Sequence, residues 1–133
     1  EIEFKNFASK NGDELKFIPF ITGRTTKNPF NLDERSYPVD LGSAIEESFI
    51  LNIKLPDSYT VKNKPKNQSL ALPNRDARYL YIIKEAEGVL TVQISSMLNK
   101  PMFLPDQYLD LKEFFSHIIQ SQSQDITLAS SNL

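Results

Sequence analysis

Most of the chain shows the alternation of apolar and polar residues that is typical of β-strands. The clearest alternation runs from Phe49 to Leu55, where every second residue is apolar while Asn52 and Lys54 fall on the opposite face. Roughly seven or eight such short segments follow one another with turn signals between them. This spacing favours a β-sandwich over the alternating strands and helices of a parallel sheet.

A β-hairpin is predicted from residues 78–85 and 89–97. Glu87-Gly88 lies at the reversal, where glycine adopts a positive φ at little cost. The second strand alternates between apolar and polar residues. The first contains the run 80–83, which is apolar on both faces and therefore indicates a central strand that is covered on both sides.

Residues 107–120 form the one convincing helical pattern. At about 100° per residue, the apolar side chains fall within an arc of about 140°; they are Tyr108, Leu111, Phe114, Phe115, Ile118 and Ile119. Pro105-Asp106 predicts the start of the helix, with Asp106 as the N-cap. The predicted fold class is therefore mainly β: a jelly-roll-like β-sandwich with one C-terminal amphipathic helix packed on a sheet.

Composition narrows the range of functions. The 133 residues, 40% hydrophobic and 24% charged, suit one folded domain. A net charge of -2 provides no global positive field, so no nucleic-acid partner is expected. The absence of cysteine excludes disulfides, thiolate zinc sites and a cysteine nucleophile. Apolar runs are only a few residues long, so no membrane span is expected.

Catalytic candidates are few, and each has a simpler structural interpretation. His117, the only histidine, falls on the polar side of the predicted helix, and its neighbour Ser116 faces a different direction. The acidic pairs Asp33-Glu34 and Glu46-Glu47 have the residue types of a glycosidase, but they lie in loops or at strand starts, where acids are common. We therefore predict no catalytic residue and no enzymatic activity for this chain alone.

Cofactor and metal sites are not predicted either. Asp106, Asp110 and Glu113 share one side of the helix, yet acids near a helix start are explained by the helix dipole. With 4 glycines in total, the chain contains neither a dinucleotide fingerprint nor a phosphate-binding loop.

Two residue sets leave binding functions open. The aromatic residues Tyr59, Tyr79, Tyr81 and Phe103 are candidates for a platform that stacks on sugar, although core packing explains most of them. The basic residues Lys62, Lys64, Lys66, Arg75 and Arg78 are candidates for a nucleic-acid contact, but the lysines are expected in a solvated hairpin loop.

Several local features occur in an order that resembles a known family. Asn28-Pro29-Phe30 precedes Arg35-Ser36-Tyr37-Pro38-Val39-Asp40, and a strand follows that closes in residues 55–61. Residues 108–115, Tyr-Leu-Asp-Leu-Lys-Glu-Phe-Phe, and then 126–128 complete the pattern. Over roughly residues 14–128 this resembles the uncharacterised C-terminal domain of bacterial transglutaminase-like multidomain proteins.

The resemblance implies an accessory module. In that family a β-sandwich precedes a papain-like core, and a further β-sandwich follows it. The catalytic residues belong to the core, so none is carried over to this chain. The resemblance also implies export to the periplasm or cell envelope. The chain begins at Glu1 without a signal peptide, so residues 1–133 are interpreted as a single C-terminal domain of a larger protein.

Three functions remain under consideration. The leading hypothesis is a docking domain whose partner is the upstream transglutaminase-like domain, with residues 28–40 as the contact surface. In the structural interpretation of the same segment, Arg35 pairs with a nearby acid and Tyr37-Pro38-Val39 begins a strand. The second hypothesis is a ligand-binding module for an envelope glycan, and the third is an independent hydrolase.

Overall fold

The computed structural model describes residues 8–20 and 27–130. Within these ranges the chain forms ten strands and one α-helix. The strands are β1 (Ser9–Asn11), β2 (Glu14–Phe17), β3 (Val39–Asp40), β4 (Ile45–Lys54), β5 (Tyr59–Asn63), β6 (Gln68–Ala71), β7 (Ala77–Ala86), β8 (Val89–Leu98), β9 (Met102–Phe103) and β10 (Ile126–Ser130). Helix α1 (Tyr108–Gln122) lies between β9 and β10. Across the described ranges, no helix combines the length and hydropathy that a membrane span requires.

The strands form two four-stranded sheets and one two-stranded ladder. The first sheet has the strand order β1-β2-β10-β5, the second has the order β4-β8-β7-β6, and β3 pairs with β9. All of these pairings are antiparallel. The predicted fold class, mainly β with one C-terminal helix, is confirmed, and the sheets are antiparallel.

The second sheet contains the predicted hairpin. Strands β7 and β8 pair from Ala77 opposite Leu98 to Ala86 opposite Val89. Glu87 and Gly88 form the reversal with φ values of 51° and 76°. Two successive positive φ values are characteristic of a type I′ turn, whose twist matches that of the strands it joins.

Strand β7 is central in its sheet but is covered on one face only. Tyr81 and Ile83 point inward and are buried, whereas Leu80 and Ile82 point outward and are half-buried. The run 80–83 therefore predicted the central position correctly and the covering of the outer face wrongly. Leu80 and Ile82 on the outer face are nevertheless half-buried, because side chains of the adjacent strands cover part of their surface.

Both sheets and the helix supply side chains to one core. The first sheet contributes Phe17, Ile126 and Leu128; the second contributes Tyr79, Tyr81, Ile83, Leu90, Val92 and Ile94; the helix contributes Tyr108, Leu111, Phe114 and Ile118. The Tyr79 hydroxyl lies 3.2 Å from Ser121 Oγ in this core and joins β7 to α1. The predicted amphipathic helix therefore packs on the second sheet with its apolar stripe inward.

The helix starts differently from the prediction. A 3-10 turn, Pro105–Gln107, precedes it, so Gln107 occupies the N-cap position and makes no side-chain capping bond. The Gln107 side chain instead accepts a hydrogen bond from the Leu104 amide at 3.0 Å. Asp106 lies within the 3-10 turn, so its assignment as N-cap was wrong.

The lysine-rich segment 64–67 connects the two sheets. Strand β5 ends in the first sheet and β6 begins in the second, so the predicted hairpin loop does not exist. Pro65 is buried within this connection. Asn67 Oδ1 accepts a hydrogen bond from the Ile83 amide at 2.8 Å, which extends the edge of the β6–β7 ladder.

Asp76 joins the β6–β7 connection to the segment between β8 and α1. Its carboxylate accepts hydrogen bonds from Lys100 Nζ at 2.9 Å and from Gln107 Nε2 at 3.1 Å. Its backbone oxygen accepts a third from the Asn99 amide at 2.8 Å. The hydrogen bond from Lys100 is the main cause that lowers the pKa of Asp76 below its ordinary value.

The hairpin turn yields a stability prediction. A Cβ at Gly88 would meet no atom within 4 Å, so the cost of Gly88→Ala is purely conformational. We expect this variant to lower the free energy of unfolding by about 1 kcal/mol. Glu87→Asn should raise it, because asparagine tolerates a positive φ better. Urea unfolding measures both changes, and a Gly88→Ala variant of unchanged stability would contradict the type I′ turn.

Asp76 yields a prediction of pH dependence. Because folding lowers its pKa, the ionised carboxylate stabilises the fold above the ordinary value of 3.8, and this contribution is lost as pH falls through the folded-state pKa. We expect Asp76→Asn to reduce the loss of stability on acidification below about pH 4.

The measurement is urea unfolding at pH 7 and at pH 3. Asp57→Asn is the matched control, because Asp57 is an exposed turn residue. It should retain the pH dependence of the unmodified chain. An Asp76→Asn variant with the same acid sensitivity as this control would refute the assigned role.

Candidate docking surface

The catalytic candidates lie on the exposed side of helix α1. His117 Nε2 and Glu113 Oε1 are 3.6 Å apart on successive turns, and both side chains are more than half exposed. Together with Asp110 they line an open concavity of about 270 Å³. Ser116 does not join them, because its hydroxyl donates to the Lys112 carbonyl at 3.1 Å. The arrangement is an exposed histidine beside an exposed glutamate, and no described residue forms a hydrogen-bonded nucleophile with this histidine.

The acidic candidates are dispersed. Asp33 and Glu34 are exposed in the irregular segment 27–38. Glu46 and Glu47 are consecutive in β4, so their side chains point to opposite faces of the sheet. In the described ranges no three His, Cys, Asp or Glu side chains come together in a metal-binding group, and this includes the helix acids Asp106, Asp110 and Glu113.

The aromatic candidates do not form a platform. Tyr79, Tyr81 and Phe103 are buried in the core, and Tyr59 is half-buried. The alternative of a stacking surface is therefore not supported by these four residues, and core packing, the interpretation that the sequence favoured for most of them, accounts for the three buried ones. The Tyr81 hydroxyl finds no hydrogen-bond partner among the described residues. Burial raises the pKa of Tyr81, so this hydroxyl stays protonated.

The lysine candidates are divided between two settings. Lys62 on β5 forms an ion pair with Glu14 on β2, in the same sheet. Lys64 and Lys66 line a wide, open concavity that also contains Lys16 and Asp125. No aromatic side chain lines this concavity, so it lacks the stacking surface that a single-stranded nucleic acid requires.

The segment 27–40 is held against helix α1 by specific contacts. Asn28 Nδ2 donates to the Lys112 carbonyl at 2.8 Å and to Ser116 Oγ at 3.0 Å. Phe30 is buried and contacts the rings of Tyr108 and Phe115 edge-on, at centroid distances of 5.7 and 5.4 Å. The segment is therefore an ordered covering of the helix, as expected for an X-Pro-containing loop.

Tyr108 is the centre of this attachment. Its hydroxyl accepts a hydrogen bond from the Leu32 amide and donates one to the Leu32 carbonyl, both at 3.0 Å. Lys112 Nζ donates to the same carbonyl at 2.8 Å. Leu32 lies outside the strands and helices, so its amide and carbonyl have no partner in regular secondary structure. The Tyr108 hydroxyl forms hydrogen bonds with both groups.

Arg35 extends the attachment to strand β3. Its guanidinium donates from Nε to the Tyr37 carbonyl at 3.0 Å and from Nη2 to the Pro38 carbonyl at 3.3 Å. The same group lies 6.0 Å from the centre of the Tyr108 ring. The predicted pairing of Arg35 with an acid was therefore wrong, because backbone carbonyls and a ring face take its place. The predicted strand start is correct, since β3 begins at Val39.

Most of the exposed large apolar side chains lie on the segments that this attachment joins. Of the seven large hydrophobic residues that are exposed in the described ranges, five lie on the segments that meet at Tyr108. We call these five the Tyr108 surface; they are Leu32, Tyr37, Met102, Leu104 and Leu109. Tyr37 is 78% exposed and Leu109 58% exposed. Several exposed apolar residues at one place indicate an interaction site, whereas single ones are normal.

Only part of this surface is predicted from the sequence. The segment 28–40 is predicted as a contact surface, whereas Met102, Leu104 and Leu109 are not. Leu109 carries a signal in the sequence, because it lies about 80° outside the apolar stripe of the helix. Met102 and Leu104 carry none, since their exposure depends on how β9 pairs with β3.

The Tyr108 hydroxyl can be tested against a matched tyrosine. We expect Tyr108→Phe to lower the free energy of unfolding by about 1 kcal/mol, because Leu32 loses both hydrogen bonds. It should also lower the hydrogen-exchange protection of the Leu32 amide. Tyr81→Phe is the control: its hydroxyl has no partner in the described part of the chain, so stability should be unchanged or slightly higher. Equal effects of both variants on stability would contradict the role of Tyr108.

Comparisons with known proteins place the fold. No curated protein matches the chain. A solved structure from Parabacteroides distasonis, described as a "putative protease", is similar at a TM-score of 0.62 and 17% sequence identity. The match covers 74% of this chain and 19% of that protein, so the chain spans only a small part of its length. Residues 13–128 match a family of domains of unknown function, which confirms the predicted uncharacterised domain. The chain belongs to this family, DUF3858.

Proposed function

We propose that the chain is a non-catalytic accessory domain that docks on the upstream core of a transglutaminase-like, exported bacterial protein. The observation that carries the proposal is the Tyr108 surface: five of the seven large hydrophobic side chains exposed in the described ranges lie on the segments that meet at Tyr108. Contacts between domains of one chain typically bury about 600–1,500 Å² and are partly apolar. A surface of this kind suits such a contact.

The rigid attachment of the segment beneath this surface supports docking. Asn28, Leu32 and Arg35 are each fixed by hydrogen bonds to α1 or to neighbouring backbone. A surface that is ordered before binding loses little conformational entropy when a partner arrives. The segment 28–40 is thus ordered before any partner binds, which supports its proposed role as the contact surface.

The chemistry of the remaining candidates supports a non-catalytic role. The chain has no cysteine, and its single histidine faces an exposed glutamate with no nucleophile beside it. Acyl transfer requires a nucleophile within hydrogen-bond reach of its base. We therefore assign catalysis to the upstream core, and we place the protein in the periplasm or cell envelope on the family resemblance of its motifs.

The size relation to the Parabacteroides protein is compatible with this arrangement. There the same fold accounts for 19% of a longer chain. The alternative function, a glycan-binding module, loses its main support because three of its four aromatic residues lie in the core. A docking role draws instead on side chains that reach solvent.

Calorimetric titration of this chain into the separately produced upstream region tests the proposal. We expect a complex with a dissociation constant in the micromolar range or tighter. Leu109→Ser should weaken it about 10-fold, because a central apolar side chain of an interface contributes on the order of 1–2 kcal/mol. Tyr37→Ser should weaken it at least as much.

Leu80→Ser is the matched control. Leu80 lies on the outward face of β7 in the second sheet, outside the Tyr108 surface. It should leave the affinity for the upstream region unchanged. No binding by the unmodified chain, or equal losses in the Leu109 and Leu80 variants, would rule out docking through the Tyr108 surface.

A further inference from the structure

Strand β4 is a long edge strand, and one of its sides pairs with no strand of the described ranges. It has ten residues and lies at the end of the second sheet, where β8 is its only partner among the described residues. No hydrogen bond in the described part of the chain involves its other edge. Unpaired edges of this length readily pair with another strand, because their amide and carbonyl groups are already aligned.

The inward face of β4 is incompletely covered. Phe49, Leu51 and Ile53 are half-buried, whereas their cross-strand partners on β8, Ile94, Val92 and Leu90, are buried. A cavity of about 270 Å³ lies between β4, β8 and helix α1, and it is lined mainly by apolar side chains. An additional strand beside β4 would bury the side chains that the edge leaves in contact with solvent.

The outward face of β4 carries a self-complementary pattern. Ile50 lies near the middle of the strand, with Glu46 on one side and Lys54 on the other, four positions away in each direction. Neither charged residue has an ion-pair partner among the described residues. Both point to the same face as Ile50, because side chains alternate along a strand.

An antiparallel pair of β4 strands centred on Ile50 satisfies these features together. Ile50 lies opposite its own copy, Glu46 opposite Lys54, and Ser48 opposite Asn52. On the inward face Phe49 lies opposite Leu51. Shifting the centre by one residue, to Phe49 or Leu51, separates Glu46 from Lys54 and Ile50 from its copy, so the pattern selects one register.

We propose that two copies of this chain pair through β4, in antiparallel orientation, with the two-fold axis at Ile50. The second sheet of one copy, which has four strands, then joins the same sheet of the other copy to form one continuous eight-stranded sheet. The interface is isologous, as expected for a dimer of identical chains, since each residue of one copy meets its counterpart by symmetry. This inference is independent of the proposed docking, because no residue of the Tyr108 surface belongs to β4.

Charge exchange at the ends of the paired strands tests the register. In the Glu46→Lys variant, each Lys54 faces a lysine; in the Lys54→Glu variant, each Glu46 faces a glutamate. Sedimentation equilibrium should show a dimer for the unmodified chain and a dissociation constant at least about 10-fold higher for each variant. An equimolar mixture of the two variants should form a dimer again, because both end pairs are then of opposite charge.

Two further measurements separate pairing from misfolding. Circular dichroism should show unchanged folding in both variants, because Glu46 and Lys54 are exposed. Lys84→Glu, on the outward face of β7 and away from the edge, is the matched control and should remain dimeric. A monomeric unmodified chain at concentrations up to about 1 mM would overturn the proposal. So would a dimer that persists in both charge variants, or a variant mixture that stays monomeric.

Discussion

The hydroxyl of Tyr108 is the contact on which the functional part of this fold depends. The segment 27–38 has no regular secondary structure, so its backbone groups need partners from elsewhere in the chain. Tyr108 supplies two of them at Leu32, and its ring supplies the surface on which Phe30 and Arg35 pack. A buried side chain at the start of the helix thereby fixes an exposed segment and determines which apolar residues reach solvent.

A second constraint acts on the opposite part of the core. Antiparallel sheets of four strands cover their central strands well and their edge strands poorly. In the second sheet this difference is visible along single rows: Ile94 and Tyr81 are buried, while Phe49 in the same row is not. The half-burial of β4 is therefore a consequence of its place in the strand order, and pairing between two copies would remove the difference.

Sequence patterns predicted what depends on local periodicity. The faces of β4, the β7–β8 hairpin and the apolar stripe of α1 each follow from the spacing of side chains along one element. The sequence pattern gave wrong predictions where the local structure depends on a residue distant in the sequence or on the pairing of strands. Gln107 displaces Asp106 at the helix start by bonding to Leu104, and the lysine segment joins two sheets because β10 pairs with β5. Arg35 contacts backbone carbonyls and the Tyr108 ring instead of an acid, and the spacing of residues in the sequence does not predict these contacts.

The key residues of both proposed interactions have an unusual position in the sequence pattern, but that position alone does not predict an interaction. Leu109 lies outside the helix stripe, and Ile50 lies on the polar face of its strand. Taken alone, an apolar residue out of phase is common on protein surfaces and indicates nothing. Leu109 acquires significance because four other exposed apolar residues lie on the segments that the Tyr108 contacts join to the helix. Ile50 acquires significance because flanking charges of opposite sign make its strand complementary to a second copy of itself.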